Sequence, residues 1–141
     1  DRGGRHRLEV VELNESVPLV RLAVSTARVR SDDPFMCHKT TRRAVYERAS
    51  ASHPRADDVL LINEREEVVE TTVANLLYRL GSEWFTPPLS SGGLPGIGRE
   101  VLVESGAVSE RVLPLAELQA CAELAVVNSL RGRRAAVILE P

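Results

Sequence analysis

The sequence feature that most restricts the possible folds of this chain is a continuous run of four apolar residues, Val-Leu-Leu-Ile, at positions 59–62. Such a short, fully apolar run is typical of a β-strand that is buried on both faces. A polar turn and a strand-like stretch at residues 68–72 follow it, which predicts a hairpin. From Thr40 or Thr41 the pattern becomes helical, with a hydroxyl available as N-cap, and it continues to residue 49. Buried strands alternating with helices predict an α/β fold.

The rest of the chain continues this alternation of short strands and helices. Further strands are predicted at residues 8–13, 18–25, 75–80, 84–86, 111–113, 123–127 and 133–139, and further helices at residues 100–105 and 115–122. Residues 27–34 are charged and turn-forming, and they predict a linker. A loop rich in Gly and Pro occupies residues 89–99.

Composition excludes several classes of protein. The chain has 141 residues, of which 43% are hydrophobic and 27% are charged, and this suits one globular domain. Its net charge of −2 argues against a nucleic-acid-binding protein. No apolar run is long enough to span a membrane and no signal peptide opens the chain, so we expect a cytoplasmic protein. Cys37 and Cys121 lack metal-type spacing, which predicts reduced thiols and no metal site.

The chain contains seventeen Arg but a single Lys, Lys39. Arg can replace Lys in most surface roles, but a guanidinium stays protonated and cannot act as an amine nucleophile. Only Lys can form a Schiff base with an aldehyde. The alternative is one surface Lys left over in an Arg-biased sequence. Lys39 follows Cys37-His38 and precedes the predicted helix, a boundary where functional side chains are often found.

Three other features could carry chemistry. Glu70 shares a strand face with Val68 and Thr72, so it either faces water or has a partner such as a protonated ring nitrogen. The loop that ends at Arg99 leads into a helix, where exposed N–H groups could bind an anion or simply form a turn. Asn128 and Ser129 directly follow an apolar strand, a position that suits either a phosphate ligand or a plain turn.

Six motifs, in the same order along the chain, resemble the C-terminal half of the fold-type IV enzymes that depend on pyridoxal phosphate. They are His38-Lys39-Thr-Thr-Arg-Arg, Val59-Leu-Leu-Ile-Asn, Val69-Glu70-Thr-Thr-Val-Ala-Asn75-Leu, Trp84-Phe-Thr-Pro-Pro-Leu, Leu94-Pro-Gly-Ile-Gly-Arg99 and Val127-Asn-Ser-Leu-Arg-Gly132. The resemblance implies the large C-terminal subdomain of that fold, a mixed sheet or pseudo-barrel with two or three helices.

The resemblance also implies roles for individual residues. Lys39 would be the Schiff-base lysine and Glu70 the partner of the pyridinium nitrogen. The implied cofactor-binding set further includes Asn75, with the N–H groups of Ile97 and Gly98 at the phosphate. Asn128 and Ser129 would complete the phosphate site.

The motif around Asn128 is closest to the aminodeoxychorismate lyases, some of which are fused to an aminodeoxychorismate synthase component. We therefore expect a lyase that releases pyruvate and 4-aminobenzoate for folate synthesis. The alternatives are a class IV aminotransferase of the branched-chain or D-amino acid type and a truncated, non-catalytic dimerisation module.

Family members are about twice the length of this chain. Residues 1–34 are therefore interpreted as a remnant of the N-terminal subdomain with a linker, and residues 35–141 as the cofactor-binding subdomain. Activity of the chain by itself is in doubt for the same reason. The resemblance further implies a small-molecule substrate, such as aminodeoxychorismate or an amino acid, and a homodimer.

Overall fold

The structure, a computed structural model, describes residues 9–12 and 17–140. The strands are β1 (Leu19–Val29), β2 (Asp58–Asn63), β3 (Val68–Thr71), β4 (Asn75–Leu80), β5 (Glu83–Thr86), β6 (Ser109–Glu110), β7 (Glu123–Asn128) and β8 (Gly132–Ile138). The α-helices are α1 (Pro34–Cys37), α2 (Ala44–Ala51) and α3 (Ile97–Glu104), and Leu89–Ser91 and Leu115–Ala120 form 3-10 helices. None of the described helices is long and apolar enough to cross a membrane.

The eight described strands form one mixed sheet in the order β3-β2-β1-β8-β7-β4-β5-β6. β1 lies parallel to both β2 and β8, whereas β2 with β3, β4 with β5, and β7 with both β4 and β8 are antiparallel. β3, at one end of this order, also bonds to the segment that follows β6 at the other end. The N–H of Val68 donates to the carbonyl of Leu113 at 2.8 Å, and the N–H of Leu115 donates to the carbonyl of Glu66 at 2.8 Å. The sheet is therefore curled into a half-barrel.

One apolar cluster fills the concave interior of the half-barrel. Alternate residues of the strands point inward, as the two-residue period of a strand requires. The buried members of the cluster are Val20, Leu22, Leu60, Ile62, Val68, Ala74, Leu76, Tyr78, Leu113, Leu118, Val126 and Ala136. Complete burial of a side chain such as Leu22 or Leu60 stabilises the fold by about 1.5–3 kcal/mol.

Two helices cover parts of the outer face of the sheet. Tyr46 and Ala49 of α2 belong to a second cluster, which includes Leu61 of β2 and Val69 of β3. Leu102 of α3 packs against a third cluster on β4 and β7, which contains Leu77, Ala125 and Val127. The turn between β3 and β4 lies between these two covered regions, and the candidate site is built around it.

The structure confirms the predicted hairpin of β2 and β3 and the predicted strands β4, β5, β7 and β8. Other predictions need correction. Residues 9–12 form no strand, and residues 8 and 13 of the predicted strand at 8–13 lie outside the described residues. β1 extends through residues 27–29, which belong to the predicted linker at residues 27–34. The predicted strand at 111–113 is absent, because this part of the chain pairs earlier, in β6. The predicted helix at 115–122 is a shorter 3-10 helix.

The helix predicted from Thr40 or Thr41 begins later, at Ala44. The hydroxyl of Thr40 accepts the N–H of Arg42 at 3.2 Å, a local turn that competes with helix formation. The unpredicted helix α1 forms instead, because Asp33 caps it by accepting the N–H of Phe35 at 2.9 Å. Lys39 thus lies in a connection between two helices, five residues before α2.

Candidate active site

A cavity of about 390 Å³ opens on the outer side of the sheet, beside the turn between β3 and β4. We call it the Glu70 cavity. Six of the seven predicted site residues line it: Lys39, Glu70, Asn75, Ile97, Asn128 and Ser129. The seventh, Gly98, lies one residue further along α3. The α1–α2 connection, the β3–β4 hairpin, the start of α3 and the end of β7 all contribute to its wall, so residues distant in the sequence meet here.

Lys39 is exposed and extends from the connection between α1 and α2. The buried Met36, 1% exposed, anchors α1 beneath it, and the N–H of His38 closes α1 on the carbonyl of Pro34 at 3.2 Å. No described residue forms a hydrogen bond or ion pair with the Lys39 amine. A primary amine at the edge of a cavity, with no charged partner among the described residues, is placed where a nucleophile could reach a bound molecule.

Most acidic residues in hairpins face the solvent. Glu70 does not, because its side chain is only 4% exposed. Three donors hold its carboxyl group. The hydroxyl of Tyr46 donates to Oε1 at 3.1 Å. The Asn75 amide and the Leu94 N–H both donate to Oε2, each at 3.1 Å. These bonds fix the orientation of a carboxyl group that is almost entirely buried.

Burial raises the pKa of Glu70 to about 8, from an ordinary value of 4.5. The Leu94 N–H and the Tyr46 hydroxyl stabilise the ionised form and oppose this rise in pKa. The charge of Asp58 raises the pKa further, and that of Arg43 lowers it. In the ligand-free chain Glu70 is therefore mostly neutral at pH 7. A positively charged group bound beside it would favour the carboxylate.

Asn75 acts on Glu70 and on the neighbouring loop. Its amide nitrogen donates both to Glu70 Oε2 and to the carbonyl of Leu94, the latter at 2.9 Å. The loop approaches so closely that a Cβ added to Gly96 would lie 2.1 Å from Oδ1 of Asn75. Only glycine fits at position 96, and the Asn75 side chain thereby joins the acid to the loop that leads into α3.

Sequence reasoning missed two residues of this site, Tyr46 and Arg43. Arg43 donates to the carbonyl of Thr72 at 2.7 Å, and its guanidinium lies 4.7 Å from the centre of the Tyr46 ring. Burial is the main cause that raises the pKa of the Tyr46 phenol. The available signal was the three-residue spacing of Tyr46 and Ala49, which puts a tyrosine on the buried face of α2.

The start of α3 forms the other end of the cavity. Its N-cap residue, Gly96, has no side chain that could accept a hydrogen bond from the helix. The first N–H groups of α3 are therefore available as donors. A Cβ on Gly98 would lie 3.0 Å from Cγ2 of Val127 and 3.3 Å from the carbonyl carbon of Asn128. Glycine at 98 therefore lets α3 begin directly against the end of β7. Amide donors at a helix N-terminus attract anions such as phosphate.

Asn128 shapes this end of the cavity with its side chain. Its Oδ1 accepts the N–H groups of Leu130 and Arg131, at 3.2 Å and 2.8 Å, and its amide donates to the carbonyl of Val73 at 3.2 Å. The side chain thus ties the end of β7 to the β3–β4 turn. Ser129 is exposed beside it and also lines the cavity.

Comparison with known proteins identifies the family to which the chain belongs. The model of the family described as amino-transferase class IV matches residues 8–137. The chain belongs to the class IV aminotransferases. Enzymes of this family use pyridoxal phosphate.

Three similar proteins show the range of the family. A Schizosaccharomyces pombe protein is 31% identical over 104 residues, which are 71% of this chain and 45% of that protein. A Mesorhizobium loti structure is 32% identical, with a TM-score of 0.82 over 95% of this chain and 65% of that one. A Legionella pneumophila structure is 28% identical, with a TM-score of 0.83 over 91% of this chain and 51% of that one.

Their names, each qualified as putative, are aminodeoxychorismate lyase, amino-acid aminotransferase and 4-amino-4-deoxychorismate lyase, respectively. The chain spans about half the length of the S. pombe and L. pneumophila proteins. The structural matches establish the fold-type IV architecture of the class IV aminotransferase chain.

The described residues fit the cofactor of the family. A carboxyl group held by three donors is suited to the nitrogen of a pyridine ring, and free N–H groups at the start of α3 are suited to a phosphate. The glycines at 96 and 98 let the loop and the start of α3 pack closely against Asn75 and the end of β7. A ring bound between these ends would lie beside Lys39, which shares the same cavity.

Proposed function

We propose that this chain is the cofactor-binding part of a pyridoxal-phosphate-dependent lyase that converts 4-amino-4-deoxychorismate to 4-aminobenzoate and pyruvate. The observation that carries the proposal is the shared cavity of Lys39, the single lysine of the chain, and Glu70, a buried acid with three hydrogen-bond donors. Such a reaction would supply 4-aminobenzoate to folate synthesis, and we assign the protein to the cytoplasm.

In this proposal the residues of the site divide cofactor binding and proton transfer among them. Lys39 supplies the amine that holds the cofactor, and once substrate has taken its place the same amine moves the proton of the α-carbon. Glu70 keeps a proton on the ring nitrogen, and Asn75 holds Glu70 in position. The N–H groups of Ile97 and Gly98, with Asn128 and Ser129, bind the phosphate. The chemistry supplied by bound pyridoxal phosphate is an electron sink for the negative charge left when that proton is removed.

The lyase is preferred to an aminotransferase because of the motif at Asn128-Ser129-Leu130 and because of the name of the S. pombe relative. The second candidate is an aminotransferase of the branched-chain or D-amino acid type. The M. loti structure, whose name describes an amino-acid aminotransferase, favours it through its 32% identity.

The proposal also covers the division of the chain into subdomains and its oligomeric state. Residues 35–141 form the cofactor-binding subdomain, and residues 1–34 are the end of an N-terminal subdomain with its linker. The chain spans 45% of the S. pombe protein, so the remaining substrate contacts would come from elsewhere. We propose a homodimer that acts on a small molecule.

The cofactor claim is tested by reductive trapping. The chain is mixed with pyridoxal phosphate, treated with borohydride, digested, and analysed by mass spectrometry. We expect a visible absorbance band before reduction and one phosphopyridoxyl group on the peptide that contains Lys39. The matched control is Lys39→Arg, which keeps the charge but cannot be trapped. Labelling confined to the N-terminal amine would contradict the claim and favour a non-catalytic module.

The reaction type is tested by product analysis with the loaded chain. Pyruvate released from aminodeoxychorismate without any amino acceptor identifies the lyase. Keto-acid formation that requires an added acceptor identifies the aminotransferase instead. Lys39→Arg serves again as the blank, because either reaction needs the lysine amine.

A further inference from the structure

A second cavity, of about 560 Å³, lies at the open end of the half-barrel, on another side of Lys39. We call it the barrel-mouth cavity. Lys39 and Asn128 line both cavities, whereas Asp58 and Arg134 line only this one. Glu70 does not contribute to its wall. A substrate that binds beside Lys39 would therefore be able to extend into the barrel mouth.

Strand alternation explains why charged residues line this cavity. Arg134 precedes Ala136 by two residues on β8 and shares its inward face. Asp58 likewise precedes the inward-facing Leu60 by two residues on β2. The apolar interior of the half-barrel thus gives way to one basic and one acidic side chain at its rim. Val17 and Val20 add apolar surface to the same wall.

Arg134 lacks a partner for its charge in the described chain. Its Nε–H is buried and forms no hydrogen bond, and no ion pair joins Arg134 to an acid. This contrasts with Arg21, which donates from Nε and Nη2 to both carboxylate oxygens of Asp57 at 2.9 Å. An unpaired donor at a buried position costs free energy, which a bound acceptor would recover.

Asp58 does not provide that acceptor. Its Oδ1 accepts from the N–H groups of Val59 and Thr72, at 2.8 Å and 2.9 Å, and from the Thr72 hydroxyl at 2.6 Å. These three bonds fix Asp58 against the β3–β4 turn, and its Oδ2 is buried without a partner. Asp57, the other acid on the wall, is already paired with Arg21.

We propose that Arg134 anchors a carboxylate of the substrate in the barrel-mouth cavity, so that Lys39 lies between the cofactor site and this anchor. The guanidinium is a planar fork that matches a carboxylate in two parallel hydrogen bonds. Lys39 and Arg131 add positive charge to the same wall. The proposal rests on the proposed function, since it requires an amine substrate that carries a carboxylate.

Two reduced cofactor–substrate conjugates test the anchor without any turnover. N-(5′-phosphopyridoxyl)glycine carries one carboxylate that N-(5′-phosphopyridoxyl)methylamine lacks. Their dissociation constants are measured by calorimetry on the cofactor-free chain. We expect the glycine conjugate to bind wild type roughly tenfold or more tightly than the methylamine conjugate, the range expected for a charge-assisted hydrogen bond.

Variants on the two faces of β8 identify the residue that is responsible for the preference for the glycine conjugate. Arg134→Gln should reduce the preference for the glycine conjugate to about one and leave the affinity for the methylamine conjugate unchanged. Arg134→Lys should restore part of the preference. The matched control is Arg133→Gln, because Arg133 lies on the outer face with its guanidinium 3.8 Å from the centre of the Trp84 ring. This variant should keep the full preference.

Each failure has a distinct signature. Equal binding of both conjugates to wild type overturns the anchor and leaves the cofactor site intact. Loss of both conjugates in Arg134→Gln without recovery in Arg134→Lys assigns Arg134 a structural role and also overturns the anchor. If wild type binds neither conjugate and reduction does not label Lys39, the proposed function fails and the anchor fails with it.

Discussion

The two cavities beside Lys39 differ in how completely their buried polar groups are bonded. In the Glu70 cavity the buried acid has three donors. In the barrel-mouth cavity Asp58 Oδ2 and Arg134 Nε have no partner, and they are the buried side-chain atoms without one in the described part of the chain. Buried polar groups in folded proteins are normally bonded. The comparison shows that the Glu70 carboxyl group is bonded within the chain, whereas the barrel mouth leaves one buried acceptor and one buried donor without a partner among the described residues.

The strongest test of this difference is the pH dependence of stability. The pKa of Glu70 is about 8 in the folded chain and 4.5 ordinarily, so between these values the folded chain holds a proton that the unfolded chain has lost. Stability therefore falls as pH rises from 4.5 to 8, by at most about 1.4 kcal/mol per pH unit. Urea unfolding of the cofactor-free chain at pH 5, 6, 7 and 8 measures the slope.

Glu70→Gln is the control for that slope, because glutamine does not titrate. Its stability curve should be much flatter over the same range. The pKa values of Asp57 and Glu67 are lowered to about 2, so these acids affect stability mainly below about pH 5. Parallel curves for wild type and Glu70→Gln would mean that Glu70 is ionised in the folded chain.

Gly96→Ala should have the next largest effect. The new Cβ would lie 2.1 Å from Asn75 Oδ1, so the side chain that holds Glu70 must move. We expect a loss of about 1–3 kcal/mol in the free energy of unfolding and weaker binding of pyridoxal phosphate. At Gly93 a Cβ would lie 3.6 Å from Glu70 Oε2, an ordinary contact. Gly93→Ala should therefore match wild type in both measurements, and equal effects of the two variants would disprove the crowding argument.

Tyr46→Phe removes one of the three donors to Glu70 and little else. We expect a loss of about 1 kcal/mol in the free energy of unfolding at pH 6, where Glu70 is neutral. Since the Tyr46 hydroxyl stabilises the carboxylate, its removal should also raise the pKa of Glu70 further. A shift of the stability curve toward higher pH, followed by urea unfolding, checks this second effect. An unchanged curve would show that the bond contributes nothing to the titration.

Arg134→Met should give the smallest change, with the opposite sign. The substitution removes an unpaired buried donor and keeps much of the apolar volume, so the cofactor-free chain should gain stability by less than about 1 kcal/mol. Thermal and urea unfolding measure the gain. A loss comparable to that of Tyr46→Phe would show that Arg134 already has a stabilising partner, and the difference between the two cavities would disappear.

The strands that position the site follow from local patterns. The apolar run predicted β2, and the polar turn after it predicted the hairpin that carries Glu70. Lys39, Glu70 and the start of α3 were selected because their residue types suit particular chemistry. Their assignment to one cofactor depended on the resemblance of six ordered motifs to a known family, and no single motif would have been sufficient.

The rest could not be predicted because it depends on contacts between distant segments. The bond from Tyr46 to Glu70 exists only after α2 has packed on β2 and β3. The late start of α2 results from a turn at Thr40 that competes with the helix. That Arg134 Nε has no partner among the described residues depends on where acceptors from distant strands lie. The division of the chain at residue 34 stays a prediction, although β1 lies inside the sheet between β2 and β8.

The β3–β4 turn forms part of the wall of both the Glu70 cavity and the barrel-mouth cavity. On one side the backbone and hydroxyl of Thr72 hold Asp58, and on the other its carbonyl accepts from Arg43, which lies over the ring of Tyr46. An occupant of one cavity that displaced this wall would change the shape that the other occupant meets. Thermodynamic linkage then requires the effect to be mutual. Cofactor affinity should therefore depend on what fills the barrel mouth, and the barrel mouth should select different molecules before and after the cofactor has bound.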